Sequence, residues 1–207
     1  MLDQIDQLMA DIRRQEETTR QYELQALSSQ INPHFLYNTL DTIIWMAEFQ
    51  DSQRVVQVTK SLATYFRLAL NQGKDLISLS DEINHVRQYL FIQKQRYGDK
   101  LEYEIAEDPD FDNLVLPKLV LQPLVENALY HGIKEKDGQG YIKVSVQKKD
   151  SGLIIRIEDD GVGFQNPGDS SQGQLKRGGV GLQNVDQRLK LHFGNNYQMK
   201  INSAPEK

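Results

Sequence analysis

The sequence predicts an α+β protein, a helical hairpin followed by a mixed layer of strands and helices. Three observations lead there. Apolar residues recur every three or four positions from Leu2 to Ala69, the spacing of amphipathic helices. Two apolar segments, residues 141–146 and 153–157, meet across Asp150-Ser151-Gly152 as a β-hairpin. Half of the 14 glycines fall between residues 161 and 181, a stretch too rich in turn formers for a core element.

Composition narrows the class. At 207 residues, with 39% hydrophobic and 26% charged side chains, the chain is an ordinary globular one, long enough for one large domain or two small ones. A net charge of -5, a pI near 5.4 and the lack of a basic stripe weigh against nucleic acid as a partner. With no cysteine there is no disulfide framework and no thiol chemistry. No apolar run approaches the ~20 residues needed to cross a bilayer, and the N-terminus lacks a signal-peptide pattern. The expectation is a soluble chain. Its abrupt opening on a heptad-like helix reads as a piece of something longer.

The elements follow in order. Leu2, Ile5, Met9 and Ile12 form a helical seam that fades through the polar run Arg13–Arg20 and resumes at Leu24, Leu27 and Ile31. Pro33 interrupts it, immediately before His34. Beyond the proline, Leu36, Leu40, Ile43, Ile44 and Ala47 continue an apolar stripe. Val55, Val58, Leu62, Tyr65, Phe66 and Ala69 make a second helix, closed by Asn71-Gln72-Gly73. The apolar face is too wide for two helices, so a dimeric four-helix bundle is expected. Ser80 is the expected N-cap of a third helix reaching Arg96, with Asp81 and Glu82 in its first turn. A strand is expected over Leu101–Ile105. Pro117 and Pro123 are expected to open helical segments, the second running from Gln122 to Gly132. After the hairpin and the Gly-rich loop come a helix over Val180–His192 and a strand over Tyr197–Ile201. The boundary between the helical and the mixed part is set at 73/74.

Three segments could carry chemistry. Asp159-Asp160-Gly161-Val162-Gly163-Phe164 puts carboxylates at a strand end, beside glycines that let a ligand approach the backbone; alone it reads better as a plain turn. Gly178-Gly179-Val180-Gly181-Leu182 opens a helix whose exposed N–H groups suit phosphate, although it is no dinucleotide fingerprint and no P-loop occurs. Gln122–Gly132 sets Glu126, Asn127, Tyr130 and His131 into an apolar helix, where polar groups need partners. Glu126 and Tyr130 share one face, Asn127 and His131 another. An amide oxygen is a hard ligand suited to Mg2+ held mainly by phosphates.

Taken in order, Glu126-Asn127, Asp160-Gly161-Val162-Gly163 and Gly179-Val180-Gly181-Leu182 resemble the N, G1 and G2 boxes of the GHKL (Bergerat) ATP-binding fold. The segment QINPHFLYNTL, with QPLVENA, HGI and GLQNVDQRL, is similar to the LytS/YesM-type sensor histidine kinases over nearly all of Leu24–Ile201. That resemblance implies a phosphoacceptor helical hairpin in residues 1–73 and a GHKL α/β sandwich in 74–207. It implies ATP-dependent autophosphorylation of His34, then phosphotransfer to an aspartate of a response-regulator receiver domain. A neutral ring nitrogen is a competent nucleophile, and Pro33 loosens the helix that presents it.

The resemblance further implies that Asp160 binds the adenine amino group, that Asn127 coordinates Mg2+ and that Gly178–Gly181 face the phosphates. Tyr130, His131, Gly161, Gly163 and Leu182 would complete the site, with residues 165–177, including Lys176 and Arg177, as its lid. Phe35 stands where many such kinases carry an acid, so Glu126 is the candidate base, Asn38 an orienting group and Asp41 a weaker third. His85 and His192 read as surface or satisfied residues, and Asn184 and Arg188 as helix packing or ligand contacts. A homodimer, an upstream sensor embedded in the membrane, a cytoplasmic location for this part and a further strand beyond Lys207 are also implied. The weaker alternatives are a silent nucleotide-binding module and a GHKL ATPase that leaves histidine unmodified.

Overall fold

The computed structural model describes residues 33–70, 75–107, 114–149, 152–163 and 179–203. The expected seam from Leu2 to Ile31, the stop at 71–73 and the lid lie outside the described residues. The chain divides into two compact units, Met1–Asp41 and Thr42–Lys207.

Helix α1 is Pro33–Glu48. A proline is well placed at a first helical position, where its missing N–H costs nothing. Within the first unit, Thr39 Oγ1 donates to the Phe35 carbonyl at 2.7 Å, a local bond one turn back. Farther along α1 the apolar stripe is largely uncovered: Ile44 and Trp45 are 57% and 63% exposed, and Phe49 just beyond is 67% exposed. Asp51 then starts α2, Ser52–Leu70, its Oδ1 accepting from the Arg54 amide at 3.1 Å.

In the second unit, α2 buries Val58, Leu62, Tyr65 and Ala69, one stripe at helical spacing. It packs against α3, Leu79–Tyr97, which buries Leu79, Ile83, Val86, Tyr89, Leu90 and Ile92. Removing each such aliphatic side chain from water contributes roughly 1.5–3 kcal/mol, which makes this contact a main support of the unit. The N-cap of α3 is Ser78, not the expected Ser80. Ser78 keeps extended backbone as the last residue of strand β1, Leu76–Ser78, and its Oγ accepts from the Asp81 amide at 3.0 Å. Ser80 already lies inside the first turn.

Strand β1 pairs antiparallel with β3, Val115–Pro117, a small ribbon the sequence did not announce. Pro117 therefore ends a strand and does not open a helix. Strand β2, Leu101–Glu107, pairs parallel with β4, Gly140–Lys149, and β4 pairs antiparallel with β5, Gly152–Asp159. The central strand buries Ile142, Val144 and Val146 on one face, as the alternation predicts.

Helix α4 is shorter than expected, Gln122–Asn127, and continues through a π-helical turn, Ala128–Ile133. Helix α5 spans Gly179–Phe193, anchored by Leu182 and Val185. Residues 197–201 alternate between half-buried and exposed as a strand would. They join no ladder among the described residues, so the expected strand is an extended segment only. No described helix is long and apolar enough to cross a membrane.

His85 is a second departure. It is fully buried, stacked on Tyr65 with ring centroids 4.3 Å apart, and neither ring nitrogen has a hydrogen-bond partner among the described residues. His192 is exposed beside Phe193, as expected. Burial pushes the His85 pKa down from 6.5 to about 4, so the folded chain holds the ring neutral. Between those values the unfolded chain binds the extra proton. Unfolding free energy should therefore fall as pH drops from 6.5 toward 4, by up to about 3 kcal/mol. Comparing pH-dependent urea denaturation of the wild type and His85→Leu checks this, the variant losing that share of the acid sensitivity.

Candidate functional site

Two elements, the start of α5 and the end of β5, converge on α4 and its π turn. At the start of α4, a Cβ added to Gly181 of α5 would stand 3.8 Å from Pro123 Cβ, an ordinary contact, so the Gly-x-Gly segment lies beside the helix entrance. At the far end the approach is closer. A Cβ on Gly161 would fall 2.2 Å from Gly132 Cα, and one on Gly132 would fall 2.4 Å from Asp159 Oδ1. Only two glycines let the π turn and the end of β5 touch in this way. The Val162 amide donates to the Gly132 carbonyl at 3.4 Å, and Gly163 adopts φ +67°, which favours glycine. Asn127 lies on the segment between these two contacts.

The π turn alters the spacing that the sequence suggested. The Lys134 amide donates to the Leu129 carbonyl five residues back, at 2.8 Å. The widened turn carries Gly132 to the strand end and leaves His131 exposed. The Tyr130 hydroxyl is buried without a hydrogen-bond partner among the described residues, and the Lys134 ammonium stands 5.8 Å from its ring centroid.

The two neighbouring aspartates diverge. Asp160 continues the β4–β5 ladder: its amide donates to the Tyr141 carbonyl at 3.2 Å, and its Oδ1 accepts from the Tyr141 amide at 2.7 Å. Its Oδ2 pairs with Lys136 Nζ at 3.1 Å. Asp159, one residue earlier and so on the opposite face, turns toward Gly132 and accepts from the Gly161 amide at 3.0 Å. Burial raises its carboxyl, the Gly161 amide opposes this, and the charge of Asp160 adds to it. The carboxylate set at the glycine contact is thus Asp159, while Asp160 is engaged by the sheet edge. Period-two alternation could have signalled the difference, had the end of β5 been known.

Glu126 is half-buried, with Oε1 accepting from Gln122 Nε2 at 2.8 Å. Desolvation raises its carboxyl and the Gln122 bond partly offsets that. Gln122, Gly132 and Asp159 are contributors that motif reading passed over. In the first unit His34 and Asp41 are exposed and Asn38 is half-buried. Gly179 and Leu182 stand at the start of α5, Leu182 buried and Gly181 exposed. Arg188, also on α5, is close enough to Glu82 of α3 to favour its ionised form, which gives it a role inside the fold.

Two family profiles cover most of the chain. Residues 22–101 match the one described as histidine kinase. Residues 113–207 match the one described as histidine kinase-, DNA gyrase B-, and HSP90-like ATPase. The sensor histidine kinase YesM of Bacillus subtilis is 33% identical over 207 residues, which is 100% of this chain and 35% of the relative. The sensor histidine kinase BtsS of Escherichia coli is 34% identical over 199 residues, 96% of this chain and 34% of the relative. The sensor protein LytS of Bacillus cereus is 32% identical over 187 residues, 87% of this chain and 32% of the relative. The chain spans about a third of the length of these relatives.

The glycine contacts give a paired expectation. Gly161→Ala forces backbone against backbone and should cost about 3 kcal/mol or more of stability. Gly181→Ala meets only ordinary contact inside a helix and should be neutral or stabilising by up to about 1 kcal/mol. Urea midpoints of the two variants check both.

Proposed function

This chain belongs to the sensor histidine kinase family of two-component systems, and from that premise we propose that it autophosphorylates His34 with ATP and passes the phosphoryl group to an aspartate of a response regulator. The reading rests above all on the meeting of three segments, Gln122–Ile133, Asp159–Gly163 and the start of α5, around one short helix. Their close glycine contacts bring backbone beside the Asp159 carboxylate. That is what a purine base and a phosphate chain require.

Within this reading Asp159 receives the adenine amino group in place of Asp160, whose carboxylate is already held by Tyr141 and Lys136. Gly161 and Gly163 shape the base side of the cleft, Gly179, Gly181 and Leu182 the phosphate side, and Tyr130 and His131 border it. Among the described residues no three carboxylate or imidazole groups converge on a metal position. A Mg2+ ion would accordingly be held by the nucleotide's phosphates and the Asn127 amide oxygen, a hard donor, and would neutralise charge there. A lone pair of the neutral His34 ring attacks the γ-phosphorus, and the bond to the ADP oxygen breaks. The proton of the other ring nitrogen leaves to a base. Glu126, half-buried on α4 with its proton affinity raised by desolvation, is the base in this reading. Asn38 orients the ring.

Residues 1–73 serve as the dimerisation and phosphoacceptor part and 74–207 as the nucleotide-binding part. The exposed apolar stripe of α1, with Ile44 and Trp45, suits a second copy in a four-helix bundle. In the full-length protein this part lies on the cytoplasmic side, below a sensor in the membrane.

Incubation with labelled ATP and Mg2+ tests the reading. Acid-labile, base-stable label that His34→Gln and Asn127→Ala both abolish is the expected result; label retained in His34→Gln sinks it. Asp159→Asn should weaken nucleotide binding about 10- to 100-fold, a lost charge-assisted bond of roughly 1.5–3 kcal/mol. Asp160→Asn should lose far less by the same titration, and the reverse order would return the role to Asp160.

A further inference from the structure

A chain of side chains links α2 to the candidate base. Tyr65, almost fully buried on α2, accepts a hydrogen bond through its hydroxyl from Gln122 Nε2 at 2.6 Å. The same nitrogen donates to Glu126 Oε1 at 2.8 Å. An ionised carboxylate can only accept, so the Gln122 amide must turn its NH2 group toward Glu126. That group has two protons, and the two acceptors use both. Releasing the Tyr65 hydroxyl would free the amide to rotate and leave Glu126 without a fixed donor.

Tyr65 itself is held firmly. Its ring stacks on His85 of α3 at an interplanar angle of 21° and meets Phe66 edge-on, with centroids 5.4 Å apart. Tyr89 of α3 and Tyr65 both feel the charge of Glu126 and, from the π turn, that of Tyr130. These tyrosines and neutral His85 gather around the Gln122–Glu126 pair.

We infer that Tyr65 is a positioning residue for Glu126, so that helix α2 holds the candidate base in place through the amide of Gln122. The inference deepens the kinase reading and rests on Glu126 being the base. It makes the second helix of the phosphoacceptor hairpin a mechanical tether to the nucleotide-binding helix. A shift of α2 by about 1 Å would stretch the 2.6 Å bond beyond hydrogen-bonding reach, whereas apolar contacts tolerate such a slide.

The 207-residue chain, with Tyr65→Phe, Gln122→Met and Glu126→Gln variants, tests this. NMR of the Gln122 side-chain NH2 follows its hydrogen bonding, and autophosphorylation at varied ATP separates kcat from KM. In Tyr65→Phe the Gln122 NH2 resonances should shift and exchange faster with solvent, because one of their two acceptors is lost. In Tyr65→Phe and Gln122→Met the kcat should fall on the order of fivefold, one hydrogen bond's worth, with KM for ATP within about twofold. Gln122 resonances and kcat unchanged in Tyr65→Phe overturn the tether, as does a lowered melting temperature with neither of them changed. Glu126→Gln phosphorylating at the wild-type rate overturns the base assignment instead, and the Gln122 resonances then report on the tether by themselves.

Discussion

The arrangement of the second unit depends on one buried carboxylate. Glu82 on α3 is fully buried, and its two oxygens accept from the amides of Leu119, Val120 and Leu121 at 2.9, 2.6 and 2.8 Å. Those amides lead into α4, whose own N-cap residue, Leu121, supplies no capping side chain. The amides of the turn and of the N-cap residue are thus held by a carboxylate from another helix. Leu119 adopts φ +56°, an unfavourable conformation for a branched side chain, and the carboxylate fixes the turn that demands it. Burial raises the Glu82 carboxyl and the three amides oppose that, as does Arg188 from α5. A buried charge without such partners would cost several kcal/mol. With them, it fixes where α4 begins, and so where Gln122, Pro123 and Asn127 stand.

From that fixed start, α4 reaches the strand end by changing its own geometry. Six α-helical residues and six π-helical ones occupy the span where the periodicity suggests one regular helix. The wider turn brings Gly132 against Gly161, and also brings Ile133 against the start of β4, where a Cβ on Gly140 would come within 2.5 Å of its side chain. The cleft is therefore bounded by backbone contacts. Its shape is set most tightly at Gly161, where any side chain would meet the Gly132 backbone, while Asn127 and Glu126 lie on the segment between the Gly181 and Gly132 contacts.

Much of this was legible in sequence, for reasons that follow from period. The stripe Val58, Leu62, Tyr65, Ala69 and the alternation Ile142, Val144, Val146 bury the residues their spacing predicts. The order of the three nucleotide-type segments pointed to one site, and the fold brings them together. What escaped was decided by tertiary contact. Ser78 and Ser80 are equally good caps until β1 sets the backbone of Ser78 as extended. Glu82 reads as a dipole-stabilising surface acid until the turn at Leu119 is seen to need it. Asp159 and Asp160 differ only in the face they occupy, and one residue of register exchanges them. His85 is polar by type, yet it sits where a stacked aromatic ring is needed.

Two kinds of contact join α2 to the rest of the unit, and they do different work. Val58, Leu62 and Ala69 supply area, which stabilises without fixing position, because apolar surfaces can slide past one another at little cost. The Tyr65–Gln122–Glu126 bonds add less stability but tolerate displacements of only about half an ångström. Neutral His85, stacked beside Tyr65, keeps charge away from that chain while filling the space around it. A helix held only by the first kind of contact could move without consequence for α4. Held by both, it cannot shift its register without altering the hydrogen bonding of Glu126.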